Sequence, residues 1–222
     1  MKVAIPYVDR IIDTENGKVN TLVIENQRLF SMIIEDIYRQ TTGEEGRVVV
    51  SEANKPCNAA KKIEVLNRFV PFEVNTRTIL SHLNTELEKI SLTEEYYEES
   101  MKILSKLENH IIALCSELPF EISITKMNMG ALIKSLGVEI RNDYGSIAEK
   151  VIEYMDLIRH LEKVEKLFIF VDYRRYITDN EFRLFSDTVL SHGFHVLFVE
   201  SSSRAKLSTE YRITIDNDLC EI

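Results

Sequence analysis

Residues 166–200 read KLFIFVDYRRYITDNEFRLFSDTVLSHGFHVLFVE and form a complete strand–helix–strand pattern. The apolar runs near the two ends are too short for helices and rich in β-forming residues, which predicts two strands buried on both faces. Between them, Thr178 and Glu181 have the spacing of a capping box, and Gly193 suits the left-handed position that ends a helix. Two buried strands joined by a helix indicate a parallel pair, and therefore an α/β fold.

The flanking sequence extends this pattern on both sides. Residues 1–12 and 19–24 predict two N-terminal strands joined by a hairpin turn at residues 13–18. An amphipathic helix follows, and then a short buried strand at residues 47–51. Near the other end of the chain, apolar and polar residues alternate over residues 211–215, which is typical of an edge strand with one solvent-exposed face. The α/β part is therefore built from both ends of the chain.

The middle of the chain has a different periodicity. Between residues 79 and 118, apolar positions recur in steps of three and four, which predicts two long helices packed as an antiparallel hairpin. We therefore expect an α/β head, containing a partly parallel sheet, formed by residues 1–57 and 139–222. Residues 58–138 are predicted to form a helical leg inserted into it.

Composition limits the classes of protein that this chain can belong to. Its 222 residues, 45% of them hydrophobic, are enough for a sizeable core, and no apolar run approaches the length needed to cross a membrane. The N-terminus lacks a signal-peptide pattern, so we expect a cytoplasmic protein with no membrane partner. Three widely spaced cysteines suggest neither a disulfide framework nor a zinc site.

Asp172 is a candidate catalytic residue. Asp172 follows a buried strand, as does the metal-binding aspartate of phosphate-loop nucleotidases, and a divergent metal-dependent nucleotidase or nuclease is one possible function. The glycine-rich phosphate loop of such enzymes is missing from the sequence, however. The alternative is that Asp172 hydrogen-bonds the next turn, and we expect the protein not to be an enzyme.

Basic residues cluster locally although the formal net charge is −9. An insertion requires its two connections to run side by side, which would bring lysines from both connections together at one end of it. Such a patch could bind phosphates without reading bases, or could consist of ordinary surface lysines. The candidate DNA-binding residues at the insertion and on the first helix are Lys61, Lys62, Lys126, Lys134, Arg28 and Arg39.

The order of several segments resembles a known family over essentially the whole chain. These segments are TLVIENQRLFSMIIEDIYRQ, RVVVSE, LPFEI, LIKSLGVEI, LFIFVDYRRYITDNE and HVLFVE. Together they resemble the small CRISPR-associated adaptation proteins of type II-A loci. The resemblance implies a degenerate P-loop-like head with a helical leg. It further implies a homotetrameric ring whose lysine-lined hole takes up double-stranded DNA ends, without catalysis, to support the CRISPR integrase complex during spacer acquisition.

The resemblance also implies bound calcium ions that support the ring. Calcium prefers six to eight oxygen ligands. By their position around the return from leg to head, the candidate calcium ligands are Glu117, Glu121, Glu139 and Asp143. A third functional class remains open beside ring and enzyme, because the long apolar seam of the leg would also suit a helical module that recruits protein partners.

Overall fold

A five-stranded, wholly parallel sheet forms the centre of the first of two structural units. The computed structural model describes residues 1–141, 143 and 145–222. In the sheet, the strands lie in the order β6-β7-β8-β3-β9. The five strands are β3 (Val19–Ile24), β6 (Ile63–Leu66), β7 (Leu167–Val171), β8 (His195–Glu200) and β9 (Glu210–Ile215). The predicted parallel pair is therefore confirmed as β7 and β8, and the predicted edge strand as β9.

A smaller antiparallel sheet belongs to the same unit. Its strands lie in the order β2-β1-β4-β5. They are β1 (Lys2–Ala4), β2 (Ile12–Asp13), β4 (Val49–Glu52) and β5 (Lys55–Pro56). The predicted hairpin between residues 1–12 and 19–24 is wrong, because β3 joins the parallel sheet. All six residues of β3 are buried, as in a central strand covered on both faces.

Seven α-helices are assigned within the described residues. They are α1 (Gln27–Thr41), α2 (Ala59–Lys62), α3 (Arg77–Ser91), α4 (Tyr97–Ser116), α5 (Met129–Leu136), α6 (Ile147–Glu162) and α7 (Asp179–Ser191). The predicted capping box of α7 is confirmed, since Thr178 and Glu181 each accept a hydrogen bond from the other's backbone N–H. Within the described residues, no helix combines the length and apolar character that membrane crossing requires.

The two faces of the parallel sheet are covered by different layers. One apolar cluster joins α1, the smaller sheet and residues such as Leu22, Ile169 and Leu197 of the parallel strands. Side chains alternate along a strand, so Phe170 and Phe198 face the opposite layer, where they pack with aromatic residues of α7. The rings of Phe170 and Phe198 lie 4.9 Å apart.

The structure divides the chain at different positions from those predicted. The first unit comprises Met1–Glu73 and Asp143–Ile222, and the second comprises Val74–Asn142. Residues 58–73, which the sequence pattern placed in the leg, contain α2 and the sheet strand β6. We call the two parts the sheet unit and the helical unit.

Within the helical unit, the two long predicted helices are present as α3 and α4. Helix α5 packs against α3, and Gly130 faces the carboxylate of Glu88, whose side chain would have to move to accommodate a Cβ at this position. Between α3 and α4, the hydroxyl of Thr93 donates to the carbonyl of Ile90 at 2.8 Å.

The predicted apolar seam of the helical unit is only partly buried in the single chain. Ile79 and Leu104 are buried, but Ile90, Leu114 and Leu118 are 43–52% exposed. The heptad-like spacing therefore predicted the helices correctly while leaving the partner of much of their apolar surface undetermined.

Candidate nucleic-acid interface

Four lysines come together at one edge of the sheet unit. The register of the β4–β5 hairpin pairs Glu52 with Lys55, and Lys2 on β1 donates from Nζ to Asn54 Oδ1 at 3.4 Å. Helix α2 contacts β4, and Lys62 Nζ lies 3.0 Å from Glu52 Oε2. We call this group the lysine edge: Lys2, Lys55, Lys61 and Lys62.

The charge of the lysine edge is only partly neutralised. The hydrogen bond from Lys62 lowers the pKa of Glu52, so this carboxylate offsets one of the four lysines. Within the described residues, Lys2, Lys55 and Lys61 make no ion pair, and their side chains are exposed. The edge therefore offers uncompensated ammonium groups, which suit phosphate oxygens.

Sequence reasoning identified Lys61 and Lys62 but missed Lys2 and Lys55. Lys55 lies on the β4–β5 hairpin, and Lys2 of β1 hydrogen-bonds the turn of this hairpin. The turn residues Ala53 and Asn54 have left-handed backbones with φ of 48° and 60°. Asparagine tolerates this conformation, but alanine does not favour it, so the sequence predicts this turn only weakly.

The other two predicted lysines belong to the helical unit. Lys134 is exposed in the last turn of α5. Lys126 is exposed and lines a cavity of about 360 Å³ together with apolar residues including Met101, Met127 and Met129. Because these lysines and the lysine edge lie in different units, their predicted convergence stays a prediction.

The predicted arginines lie at the two ends of α1. Arg28 is exposed in the first turn, beside a surface cavity that is also lined by Tyr7 and Leu219. Arg39 is exposed in the last turn and pairs with Glu44, with 3.0 Å between Nε and Oε2. Arg39 is therefore partly neutralised, whereas Arg28 makes no ion pair in the described part of the chain.

The predicted calcium ligands are exposed carboxylates. Glu117, Glu121 and Glu139 lie in the helical unit, and Asp143 lies in the sheet unit. Across residues 1–141, 143 and 145–222, no group of three or more His, Cys, Asp or Glu side chains could hold a metal ion. The three glutamates of the helical unit therefore do not fit a preformed calcium site within one chain.

Asp172 lies at the carboxyl end of β7, where its side chain makes structural contacts. Its Oδ1 accepts a hydrogen bond from the backbone N–H of Ser201 at 2.8 Å, and its Oδ2 lies 3.4 Å from the guanidinium of Arg175. In return, Glu200 Oε1 at the end of β8 accepts from the N–H of Arg174 at 3.2 Å. The two carboxylates thus join the ends of neighbouring strands, which agrees with the structural alternative for Asp172.

Glu200 has an unusual protonation equilibrium. It is 2% exposed, and its burial raises the pKa of the carboxyl to about 7, with a smaller contribution from the charge of Asp172. The hydrogen bond from Arg174 and the positive charges of Arg174 and Arg204 oppose this increase. A substantial fraction of Glu200 is therefore neutral at physiological pH.

Residues 40–219 match the family model described as CRISPR-associated protein (Cas_Csn2). The chain is 23% identical over 202 residues to the CRISPR-associated protein Csn2 of Streptococcus agalactiae, with 90% of this chain and 89% of that protein covered. It is 26% identical over 204 residues to the CRISPR-associated protein Csn2 of Enterococcus faecalis, with 90% of each covered.

The fold is similar to a solved structure, the crystal structure of Stu0660 of Streptococcus thermophilus. The TM-score is 0.55 at 12% sequence identity, and the match covers 91% of this chain and 69% of that chain. At this identity, the similarity concerns the fold alone.

Replacing Glu200 by Gln is expected to make the stability of the protein, relative to wild type, increase as the pH rises. The reference pKa of Glu is 4.5, whereas burial raises the folded-state pKa to about 7. Between these two values the folded protein holds a proton on Glu200 that the unfolded chain has lost. The stability of the wild type therefore falls as the pH rises from the unfolded-state pKa through the folded-state pKa. Glu200→Gln lacks this loss, so its unfolding free energy relative to wild type should rise by about 2–3 kcal/mol between about pH 4.5 and pH 8.

Urea unfolding of both proteins across this pH range measures the effect. Glu181→Gln is the control, because hydrogen bonds from Thr178 lower the pKa of Glu181. This variant should be less stable than wild type by a nearly constant amount across this range, and the difference should shrink only below the unfolded-state pKa of 4.5. A stability difference for Glu200→Gln that does not change with pH would show that Glu200 ionises normally in the folded protein.

Proposed function

Because the chain belongs to the CRISPR-associated Csn2 family, we propose that it acts in the cytoplasm as a non-catalytic ring that binds the ends of double-stranded DNA. In this proposal four copies form the ring, which presents DNA ends to the CRISPR integrase complex during spacer acquisition. The lysine edge is the observation that carries the DNA-binding part of this proposal.

The lysine edge supports binding through phosphates instead of bases. Lysine ammonium groups are compact point charges without the planar fork with which arginine reads guanine. The helix that contributes Lys61 and Lys62, α2, has only four residues, too few to present a row of polar side chains to a major groove. Affinity from such a surface is independent of sequence and falls steeply with salt.

The positive surface is consistent with an acidic chain if binding is local. At a formal net charge of −9, the whole molecule would repel DNA at long range. At physiological salt, however, charges farther away than about 8 Å are largely screened, so a nearby group of lysines determines the local interaction. A ring would bring several copies of the lysine edge to one DNA molecule.

An exposed apolar strip in the helical unit supports assembly from several copies. The strip consists of the C-terminal part of α4 and the following segment, where Phe120 is 73% exposed and Ile112, Ile122 and Ile124 are 41–53% exposed. These four residues line a groove of about 410 Å³. Soluble monomers rarely leave contiguous apolar surface uncovered, so a second copy of the helical unit is the proposed occupant.

The contacts of Asp172 support a role without catalysis. Both carboxylate oxygens have protein partners, and β3 is followed by Glu25 and Asn26 where a phosphate loop would begin. The side chain of Asn26 caps α1 by accepting from Leu29 N–H at 3.0 Å. We include a degenerate P-loop-like head in the proposal, supported by the arrangement of β3, α1 and Asp172 around one parallel sheet.

Removing lysines from the edge should weaken DNA binding and reduce its salt dependence. Lys55→Gln combined with Lys61→Gln removes two exposed, unpaired charges. If each contacts a phosphate, the slope of log affinity against log salt becomes shallower by about 1.8. With the electrostatic contribution vanishing near about 1 M salt, affinity then falls by roughly sixtyfold at about 0.1 M salt. Electrophoretic mobility shifts over a salt series measure both quantities.

The matched control combines Lys18→Gln with Arg183→Gln, which removes two exposed charges of the sheet unit outside the lysine edge. If both double variants lose the same affinity, net charge and not the lysine edge governs binding. A second comparison uses linear duplex and closed circular duplex of the same sequence. Equal affinity for the two forms would contradict binding to ends.

Polar substitution of the apolar strip should dissociate the assembly. Phe120→Ser combined with Ile122→Ser changes exposed side chains, so the fold of the single chain should be retained while apolar burial between copies is lost. Sizing with light scattering should show a shift from tetramer to smaller species. Leu136→Ser is the control, since Leu136 is 71% exposed in the same unit but lies on α5. If the tetramer is unchanged, the strip does not hold the copies together. The expected occupant of the strip is then another protein, as the recruitment hypothesis requires.

Calcium is part of the proposal as a ligand that promotes assembly. Since a preformed site is not assembled from Glu117, Glu121 and Glu139 in one chain, ligands from more than one copy would have to contribute. Chelation with EGTA should then reduce the tetramer fraction, and added calcium should restore it while magnesium should not. Oligomer mass and DNA binding that are both unchanged by EGTA would remove calcium from the mechanism.

A further inference from the structure

A serine-rich loop follows β8 at the carboxyl edge of the parallel sheet. Its sequence is SSSRAKLST, residues 201–209, and we call it the serine loop. It lies beside the ends of β7 and β8, where Asp172 accepts from the N–H of Ser201. Ligands of parallel α/β sheets bind outside the carboxyl ends of the strands, so this edge is a place where a binding site is expected.

Two arginines hold the backbone of the serine loop in place. Arg174 Nη2 donates to the carbonyl of Ala205 at 2.9 Å, and Arg212 Nη1 donates to the carbonyl of Arg204 at 2.6 Å. Glu210 Oε2 accepts from the N–H of Leu207 at 3.0 Å. The middle of the loop therefore has a fixed backbone, which reduces the entropy lost when a ligand binds its side chains.

The positive charges of these two arginines are already neutralised. Arg174 is 2% exposed and pairs with Asp179 at 2.7 Å and with Glu210 at 3.5 Å, while Arg212 also pairs with Glu210. Buried guanidinium groups require such partners. Arg174 and Arg212 therefore position the serine loop but are not available to an external anion.

Three further basic side chains at this edge are exposed. Arg204 and Lys206 lie on the serine loop and make no ion pair in the described part of the chain. Arg175 is 53% exposed and donates to the Oγ of Ser201. Arg204 lies in the same loop as Ser201, and its positive charge acts to lower the pKa of Glu200 at the end of β8.

The acidic groups at this edge leave a positive balance. Asp172 faces Arg175 at 3.4 Å, and Asp179 and Glu210 are engaged by buried arginines. Glu200 is buried behind the loop and is partly neutral near pH 7. Exposed cations thus remain in the segment that carries Ser201 and Ser202, and Arg175 contacts the hydroxyl of Ser201, although the whole chain is acidic.

We propose that Arg175, Arg204 and the serine hydroxyls form a binding site for a phosphate monoester. A terminal phosphate has three free oxygens and nearly two negative charges, which match two guanidinium groups and neighbouring hydroxyl donors. Lys206 is a further exposed cation of the serine loop. Such a phosphate could come from a mononucleotide or from the 5′ end of a DNA strand. The site is separate from the lysine edge and does not depend on the proposed binding of duplex DNA.

The test measures binding of inorganic phosphate and of adenosine 5′-monophosphate to the full chain by isothermal titration calorimetry. We expect a Kd below about 1 mM for the nucleotide, and about a tenfold loss of affinity in Arg204→Gln and in Arg175→Gln. Lys18→Gln is the matched control, because it removes one exposed charge just before β3, beside the far end of the serine loop, where the N–H of Val19 donates to the carbonyl of Thr209 at 3.0 Å. Circular dichroism and urea unfolding check that each variant is folded.

A second arm compares a short duplex with and without 5′-phosphates. A binding advantage from the 5′-phosphate that Arg204→Gln removes supports the site and identifies a DNA end as the source. Nucleotide binding without such an advantage supports the site with a free nucleotide as its ligand. The site is overturned if neither phosphate nor nucleotide binds and the 5′-phosphate has no effect, or if Lys18→Gln weakens binding as much as Arg204→Gln. Salt-dependent binding of unphosphorylated duplex can persist in either case, so failure of this site is distinguishable from failure of the proposed function.

Discussion

The parallel pairing of β7 with β8 is the interaction on which the rest of the structure depends. Both strands are apolar and buried along most of their length, so their backbone N–H and C=O groups have no access to water and must bond each other. Alternating side chains then define two layers, with α1 and the smaller sheet on one face and the aromatic residues of α7 on the other. The positions of Asp172 and Glu200 at neighbouring strand ends follow directly from this register.

The strand ends show how polar groups are accommodated at the limit of the apolar core. Asp172 and Glu200 each accept a backbone N–H from the segment that follows the other strand, so the chain leaves the sheet with its donors satisfied. The buried Arg174 continues this arrangement by linking α7, the serine loop and β9. Asp172, which resembles a catalytic residue by position, thus satisfies the backbone N–H of Ser201 at the strand end.

In the helical unit, more of the apolar surface remains exposed than in the sheet unit. The heptad-like apolar positions of the helical unit favour long helices, but Leu114, Leu118 and Phe120 remain exposed within one chain. Apolar surface of this extent is normally covered, and the proposed ring would cover it with other copies. Folding of the single chain and assembly of the proposed ring thus use different parts of the apolar surface.

Local elements of this protein could be predicted from its amino-acid sequence. Short apolar runs and capping residues identified β7, α7 and β8, because strand burial and helix capping depend on neighbours along the chain. The order of the segments along the chain also indicated the family. Long-range pairing, in contrast, moves β3 from the predicted hairpin into the parallel sheet, places residues 58–73 in the sheet unit, and brings Lys2 and Lys55 beside Lys61 and Lys62. These outcomes depend on contacts between segments distant in the chain, and on the weak turn at Ala53 and Asn54, so no local pattern of residue types could specify them.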